Sequence, residues 1–315
     1  MPYISLMRPK DWVKNAFVLI PVLFWFNSPT NDDQLALPVV LGNTLLTLVG
    51  FCLLASAVYS INDALDAEKD RTHPVKRTRP VASGKVSPSS AIGFGGILGI
   101  VALALGAFVN QGVLTVFVFY VLLQVFYNLS GKYLILVDVV TIALGFVLRA
   151  AAGAFAVDIQ LSIWMILCVF FLCLYLGFVK RLCDLSAARI AGSENWKPRA
   201  GYDDPLELNW LLGVSGVMCL MMYLTYSLSE HAYSIFGARS VGFSILTPVV
   251  LIVVHRFYRR ANRGDSESPY AALTEDRTIQ FGTLLFVVGI VLTLYVPAFE
   301  RLLSDVLLST QPYQQ

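Results

Sequence analysis

Nine apolar stretches recur through this chain of 315 residues, each near the ~20 residues that a helix needs to cross a bilayer. Nothing else constrains the fold as strongly. They lack the strict alternation of barrel strands, so they read as helices near 15–27, 37–61, 90–109, 113–131, 133–157, 161–180, 208–228, 240–258 and 279–297. The first is the shortest and carries Pro21. With 57% hydrophobic and only 14% charged residues, the expected fold class is all-α: a polytopic membrane helical bundle forming one domain over 1–315. The start "MPYISLMRPKDWVKNAF" is basic, but no small-residue cleavage site follows its apolar run, so it reads as retained and not as a signal peptide.

Charge asymmetry sets the expected orientation, because Lys and Arg collect in cytoplasmic loops. Nine helices put the N-terminus and the loops 61–89, around 132, 181–207 and 259–278 on one side. That side holds 20 of the 23 Lys and Arg, the exceptions being Arg149, Arg239 and Arg301. The N-terminus is expected in the cytoplasm, in a plasma (inner) membrane, and the inner face is basic enough to suit anionic headgroups or phosphorylated substrates. No nucleic-acid partner is expected, and the sequence is silent on a homo-oligomer. Cys52, Cys168, Cys173, Cys183 and Cys219 form no C-x-x-C pair and read as small apolar core residues. His73, His231 and His255 lack metal-ligand spacing, and no Walker loop, G-x-G-x-x-G or G-x-S-x-G stretch is present.

The stretch "SINDALDAEKDRTHPVKRTRP" at 60–80 departs from this apolar background, with four acidic and five basic side chains. Asn62, Asp63, Asp66 and Asp70 spell N-D-x-x-D-x-x-x-D, and at helical spacing 62, 66 and 70 share a face with 63 beside 66. Carboxylates crowded together repel unless a cation sits among them. Oxygen ligands with room for substrate phosphates suit Mg²⁺, which makes these four the candidate metal ligands and the three Asp the candidate catalytic residues. Arg71, His73, Lys76, Arg77 and Arg79 follow as donors for phosphate oxygens. The set describes a site for a diphosphate ester; the bland alternative is a solvated loop of mixed charge.

Asn62 to Asp70, at the end of the second of nine expected helices, resembles the first aspartate-rich motif of the UbiA superfamily of intramembrane prenyltransferases. "RPKDWVKN" (8–15), "DRTHPVKRTRPVASG" (70–84), "YNLSGK" (127–132) and "GFVLRAAAGA" (145–154) resemble the branch that includes decaprenyl-phosphate phosphoribosyltransferase. That resemblance implies transfer of 5-phosphoribose from phosphoribosyl pyrophosphate (PRPP) to a polyprenyl phosphate, with Mg²⁺ and release of diphosphate. In prenyltransferases of the superfamily a second acidic motif follows the sixth helix. Here that region reads "VKRLCDLSAARIAG", with Lys180, Arg181 and the single acid Asp184. Two metal clusters around one diphosphate would need carboxylates there, whereas a lipid monophosphate would need cations. Lys180 and Arg181 are thus candidates for the lipid phosphate, or else positive-inside anchors.

Other residues keep two readings. Asp138 and Arg149 share a face of the fifth expected helix about three turns apart. Intramembrane charge suggests function, but a structural pair or a backbone-satisfying Arg serves equally. Lys14 and Asn15 precede the first apolar run and are placed to contact the sugar phosphate, with anchoring as the alternative for Lys14. Tyr127, Lys132 and Tyr202 are candidate substrate contacts on the family pattern, while Tyr and Lys favour the membrane interface in any case. The large inner loops after the second and sixth helices, 61–89 and 181–207, occupy analogous places and are expected to carry the active site, although no internal repeat is legible. Two other functions stay open: a prenyltransferase joining a prenyl diphosphate to an aromatic or other small acceptor, and a transporter for an anionic solute. The transporter gives no reason for N-D-x-x-D-x-x-x-D.

Overall fold

The computed structural model describes residues 1–25, 35–72, 76–160, 162–190, 199–265 and 268–303, all helix, turn or coil with no strand among them. His73, and residues 26–27 of the first expected span, lie outside the described residues. The helices are α1 (Pro2–Met7), a 3₁₀ segment Pro9–Leu19, α2 (Ile20–Trp25), α3 (Leu37–Leu65), α4 (Ala67–Arg71), α5 (Pro88–Val109), α6 (Gln111–Leu129), α7 (Val137–Ala156), α8 (Ile163–Ile190), α9 (Pro205–Ser227), α10 (Glu230–Phe236), α11 (Arg239–Ile245), α12 (Thr247–Arg263), α13 (Pro269–Glu275), α14 (Arg277–Tyr295) and α15 (Pro297–Leu303).

Eight described helices, counting α11 and α12 as one, are long and apolar enough to cross a membrane, and the chain is a multi-pass membrane protein. Eight of the nine expected stretches coincide with them, seven within about five residues, while α8 runs ten residues past the expected end at 180. The ninth, 15–27, is instead the tail of the 3₁₀ segment followed by the six-residue α2. Pro21 has no N–H to donate, which suits a short helix following a 3₁₀ segment, and the whole N-terminal stretch runs the length of α3, from Arg8 on Asp63 to Trp25 beside Val40. Several starts are specified locally: Ser87 accepts from Ser90 N–H at 3.1 Å before Pro88, and Asp204 accepts from Leu206 N–H at 2.8 Å before Pro205. Such caps satisfy N–H groups that the helix leaves over. Large apolar side chains such as Ile100, Phe108 and Phe281 stay exposed along α5 and α14. In water this would be costly; against lipid tails it is the expected surface.

The chain divides into two compact units, Met1–Lys132 with Leu144–Leu161, and Tyr133–Ala143 with Ser162 onward, so α7 contributes turns to each. In the first unit α3 packs along α5 and α6. Small residues permit the approach: a Cβ on Gly95 would meet the Ala57 carbonyl at 2.9 Å. Phe51, Phe117 and Tyr120 stack edge-on in its core. In the second unit Tyr175, Phe178, Leu182 and Leu212 form the core with the first turn of α7 and with α12. Asp276 caps α14 through the N–H groups of Thr278 and Ile279. Burial alone would raise its carboxyl pKa, but hydrogen bonds from Arg256, Ile279 N–H and Arg260 hold it well below the usual carboxylate range.

Candidate active site

The acidic motif lies where α3 passes into α4. Asp66, at φ −90° and ψ 6°, ends α3, while the i to i−4 ladder continues through Asp66 N–H to Asn62 O and Asp70 N–H to Asp66 O, both 2.9 Å. Asp63 and Asp70 thereby turn inward beside Ala64 and Ala67, which pack with Leu6, Val81, Val86 and Ala91. One guanidinium nitrogen, Arg79 Nη1, lies 3.1 Å from Asp63 Oδ1 and 2.7 Å from Asp70 Oδ2. Arg8 Nη2 closes on the same Asp63 Oδ1 at 2.5 Å, with its guanidinium 4.8 Å from the Tyr59 ring centre. Asp66 points elsewhere, with Lys132 Nζ 3.7 Å from its Oδ2.

The sequence suggested a face of 62, 66 and 70; the structure joins 63 to 70, seven positions apart, and leaves 66 to Lys132. The inward side at this helix end is set by the small residues 64 and 67, and Asp63 and Asp70 fall on it. Asn62 is half-buried on the same turn, Arg71 and Arg77 are exposed, and Lys76 and Tyr127 are half-buried.

Arg8 was passed over as a candidate although it opens "RPKDWVKN". It adopts the left-handed conformation, φ 51° and ψ 61°, directly before the 3₁₀ segment. Side chains three apart eclipse in a 3₁₀ helix, so Trp12, Asn15 and Val18 form one ridge. Trp12 Nε1 donates to Ser56 Oγ at 3.1 Å, Asn15 Nδ2 to Cys52 Sγ at 3.3 Å, and the Ser56 hydroxyl to the Met7 carbonyl at 2.9 Å. Val18 enters the core, and a Cβ on Gly153 would collide with the Val18 carbonyl. The segment is strapped along α3, which carries Arg8 to Asp63. The sequence carries no matching signal, since Trp12, Asn15 and Val18 mix polar and apolar side chains and the apolar positions 12, 13, 16 and 17 do not repeat every three. Lys14, off this ridge, pairs with Asp11 at 2.6 Å near the surface.

Arg149 and Asp138 each have their own partners. Arg149 is buried; its Nε donates to Asn15 Oδ1 at 2.8 Å, Nη1 to Gly145 O at 2.7 Å and Nη2 to Tyr120 OH at 3.0 Å, among the rings of Phe51, Tyr120 and Phe146. It anchors Asn15, hence the N-terminal segment. In the second unit Asp138, fully buried, accepts from Tyr202 OH and Val139 N–H at 2.7 Å each, and Tyr202 OH accepts from Leu136 N–H at 2.9 Å. Arg181 Nε faces Asp138 Oδ2 at 3.1 Å, an ion pair without hydrogen-bond alignment. Arg181 is also buried, so its charge is matched inside the unit. Lys180, on the next face of α8, pairs with Asp184 at 2.7 Å near the surface. Burial pushes the Tyr202 phenol pKa up, and the Asp138 carboxylate it bonds pushes it further.

Among the described residues no three His, Cys, Asp or Glu side chains gather into a metal cage. The donor chemistry nonetheless fits Mg²⁺: two buried carboxylates converge on one point, where a guanidinium now supplies positive charge, and this ion is commonly held by one or two carboxylates plus phosphate oxygens.

Comparison with known proteins agrees with this architecture. The chain is 29% identical over 296 residues to the decaprenyl-phosphate phosphoribosyltransferase of Corynebacterium glutamicum, covering 93% of this chain and 86% of that one. It is 29% identical over 280 residues to the same-named protein of Mycolicibacterium smegmatis, covering 88% and 87%. A UbiA homolog from Archaeoglobus fulgidus, solved with GPP and Mg²⁺, shares the fold with a TM-score of 0.66 at 17% identity, over 97% of this chain and all of that one. Residues 18–274 match the UbiA prenyltransferase family, and the chain is a member of that family of membrane transferases.

Proposed function

We propose that the protein transfers 5-phosphoribose from PRPP to a polyprenyl phosphate and releases diphosphate, at a site facing the cytoplasm. The observation that carries this reading is the bridged carboxylate pair: Arg8 and Arg79 meet Asp63 and Asp70 at one point, so cationic donors and metal-binding oxygens are available to one diphosphate. The names of the relatives above, matched over about nine-tenths of the chain, supply the choice of donor and acceptor. A further support is the region 179–192, whose single acid Asp184 already pairs with Lys180. Most of that region belongs to α8, which runs to Ile190, and the acids Asp203 and Asp204 come later, before α9.

In the reaction the C1–O bond to diphosphate breaks while an oxygen of the lipid phosphate bonds to C1. Negative charge grows on the leaving group and positive charge on the ribose ring. Groups that meet the leaving diphosphate therefore lower the barrier most. Arg79, Arg8 and Lys132 stand closest to the acidic motif and would take its phosphate oxygens, with Arg71, Lys76 and Arg77 on the following segment. Asp63 and Asp70 would hold a divalent metal, which would neutralise charge on the leaving group, with Asn62 on the same turn and Asp66 turned to Lys132. Lys14 and Tyr127 would line the sugar-phosphate side, while buried Asn15, held by Arg149 and Cys52, fixes the segment that carries Lys14. Lys180 is the candidate for the acceptor phosphate, with Arg181, Asp184 and Tyr202 holding its surroundings. The lipid phosphate is already an anion near neutral pH, so no general base is required.

The test is direct. Purified protein with Mg²⁺, labelled PRPP and a polyprenyl phosphate should form labelled lipid, while a parallel reaction with prenyl diphosphate and 4-hydroxybenzoate should not. Product in only the second reaction reverses the assignment to that of a prenyltransferase.

A further inference from the structure

The Asp63–Asp70 pair is held by arginines that come from elsewhere in the chain, and both arginines remain partly open. Asp63 and Asp70 are almost fully buried, yet the side chains of Arg8 and Arg79 are 24% and 25% exposed. A carboxylate buried in a membrane protein needs a counter-charge, and here it is supplied by the more exposed partner, a long side chain with an exit to solvent. Arg79 directly follows a short 3₁₀ turn, Lys76–Thr78, its N–H donating to the Lys76 carbonyl at 2.9 Å, and is not inside a long helix. Arg8 stands at a left-handed junction between α1 and the 3₁₀ segment. The Arg8 guanidinium also stacks 4.8 Å from the Tyr59 ring centre, so Arg8 is the more firmly held of the two. Planar guanidinium donors also match phosphate oxygens as well as they match carboxylate oxygens.

On these grounds we infer that Arg79 and Arg8 are exchangeable counter-ions: a divalent cation displaces them from Asp63 and Asp70, and the released guanidinium groups turn to the diphosphate of the donor. This rests on the metal reading proposed above and adds a coupling to it. A dication among oxygens that a guanidinium already shares is repelled by it, so the arginines oppose metal binding until a polyanion offers them new partners. Metal and diphosphate ester then bind with positive cooperativity, because each accepts the charge the other exposes. The same arginines would guard the carboxylates against bare metal at low donor concentration.

The prediction can be read without turnover. Binding of Mn²⁺, followed by the electron paramagnetic resonance of the free ion, should be compared in the wild-type protein, Arg79→Gln, Arg8→Gln, Asp63→Asn and the exposed-charge control Lys69→Gln. Without donor, Arg79→Gln should bind Mn²⁺ roughly three- to tenfold more tightly than wild type, the size of one partly screened charge interaction. Arg8→Gln should show a smaller change in the same direction, Lys69→Gln little change, and Asp63→Asn should lose the site. Thermal melting guards against a folding artefact: in EDTA Arg79→Gln should melt below wild type, and Mn²⁺ should raise its melting temperature more than that of wild type. If Asp63→Asn loses Mn²⁺ while Arg79→Gln and Arg8→Gln bind it no more tightly than wild type, the exchange is wrong and the metal site stands. If wild type and Asp63→Asn bind Mn²⁺ equally, both fall.

Discussion

Each of the two units contains a buried aspartate facing an arginine, and the two pairs are built for opposite purposes. Around Asp63 the acids are buried and the bases are a quarter exposed, one guanidinium serves two carboxylates, and a second arginine presses on the same oxygen. Around Asp138 the acid is fully buried, Arg181 is 8% exposed, and neutral donors from Tyr202 and Val139 complete the carboxylate's bonding. The first cluster has basic groups with an open side, which the proposed exchange would use. The second is closed, and neither partner can leave without opening the core formed by Tyr175, Phe178 and Leu182. On the proposed reading, exposure of the base, not the presence of an ion pair, separates the site from its support.

The sharpest way to break this comparison is to remove an acid from the open cluster. Asp63→Asn or Asp70→Asn should lower kcat/KM about 10³-fold or more, equivalent to ~4 kcal/mol of transition-state stabilisation. The folded protein should still elute and bind detergent normally. Near-normal turnover in both variants would remove the role assigned to the pair.

Asp138→Asn tests the closed cluster. It leaves the buried Arg181 charge with only the more exposed Asp184 carboxylate, 3.5 Å from its Nη1, which should cost about 3 kcal/mol in stability. The measurement is a melting curve in detergent together with yield. Divalent cation or donor should not restore the loss, in contrast to the open cluster, where Mn²⁺ is expected to compensate for a missing charge. Restoration by either would mean that Asp138 belongs to a ligand site.

How much of this could be read from the sequence follows the same division. The helices were legible because length and hydropathy alone decide what can cross a bilayer, and the acidic motif was legible because its members are close in sequence. Partners far apart were not. Arg8 meets Asp63 across 55 positions, and only the 3₁₀ ridge of Trp12, Asn15 and Val18 brings it there. Helical spacing made Asp138 and Arg149 look like partners, but α7 contributes turns to both units, so each residue found its partners in its own unit. Arg181 looked like a phosphate ligand because burial cannot be seen in a run of adjacent charges. Lys180 and Arg181 differ by one position and have opposite surroundings.

Tyr202→Phe sharpens the closed cluster further. The substitution removes the donor to Asp138 Oδ1 and the acceptor for Leu136 N–H, which should cost about 1–2 kcal/mol near neutral pH. Burial and the adjacent carboxylate raise the phenol pKa in the folded state above its unfolded value near 10. A raised pKa adds stability below the unfolded value and forfeits it as pH climbs from there toward the folded one, because the unfolded chain ionises first. The Phe variant lacks that dependence. The gap in melting temperature between wild type and variant should therefore narrow from pH 7 to pH 10.5, and a constant gap would mean that the phenol titrates normally.

The smallest expected effect concerns Lys180, the neighbour of the closed pair that remains near the surface. Its ammonium lies 2.7 Å from Asp184 with 41% of the side chain exposed, so a lipid phosphate could share or take it without disturbing Asp138. An exposed pair of this kind contributes little to stability. If Lys180 meets the acceptor, Lys180→Met should raise the KM for polyprenyl phosphate about fivefold, or ~1 kcal/mol, while leaving the KM for PRPP near wild type. Arg181→Met should behave differently, lowering the melting temperature as Asp138→Asn does, because its charge is used inside the unit. If Lys180 only anchors a helix end, its removal should change yield and leave both KM values alone. Varying each substrate in turn separates these cases, and an effect confined to PRPP would move Lys180 to the donor side and leave the acceptor phosphate without a partner in the second unit.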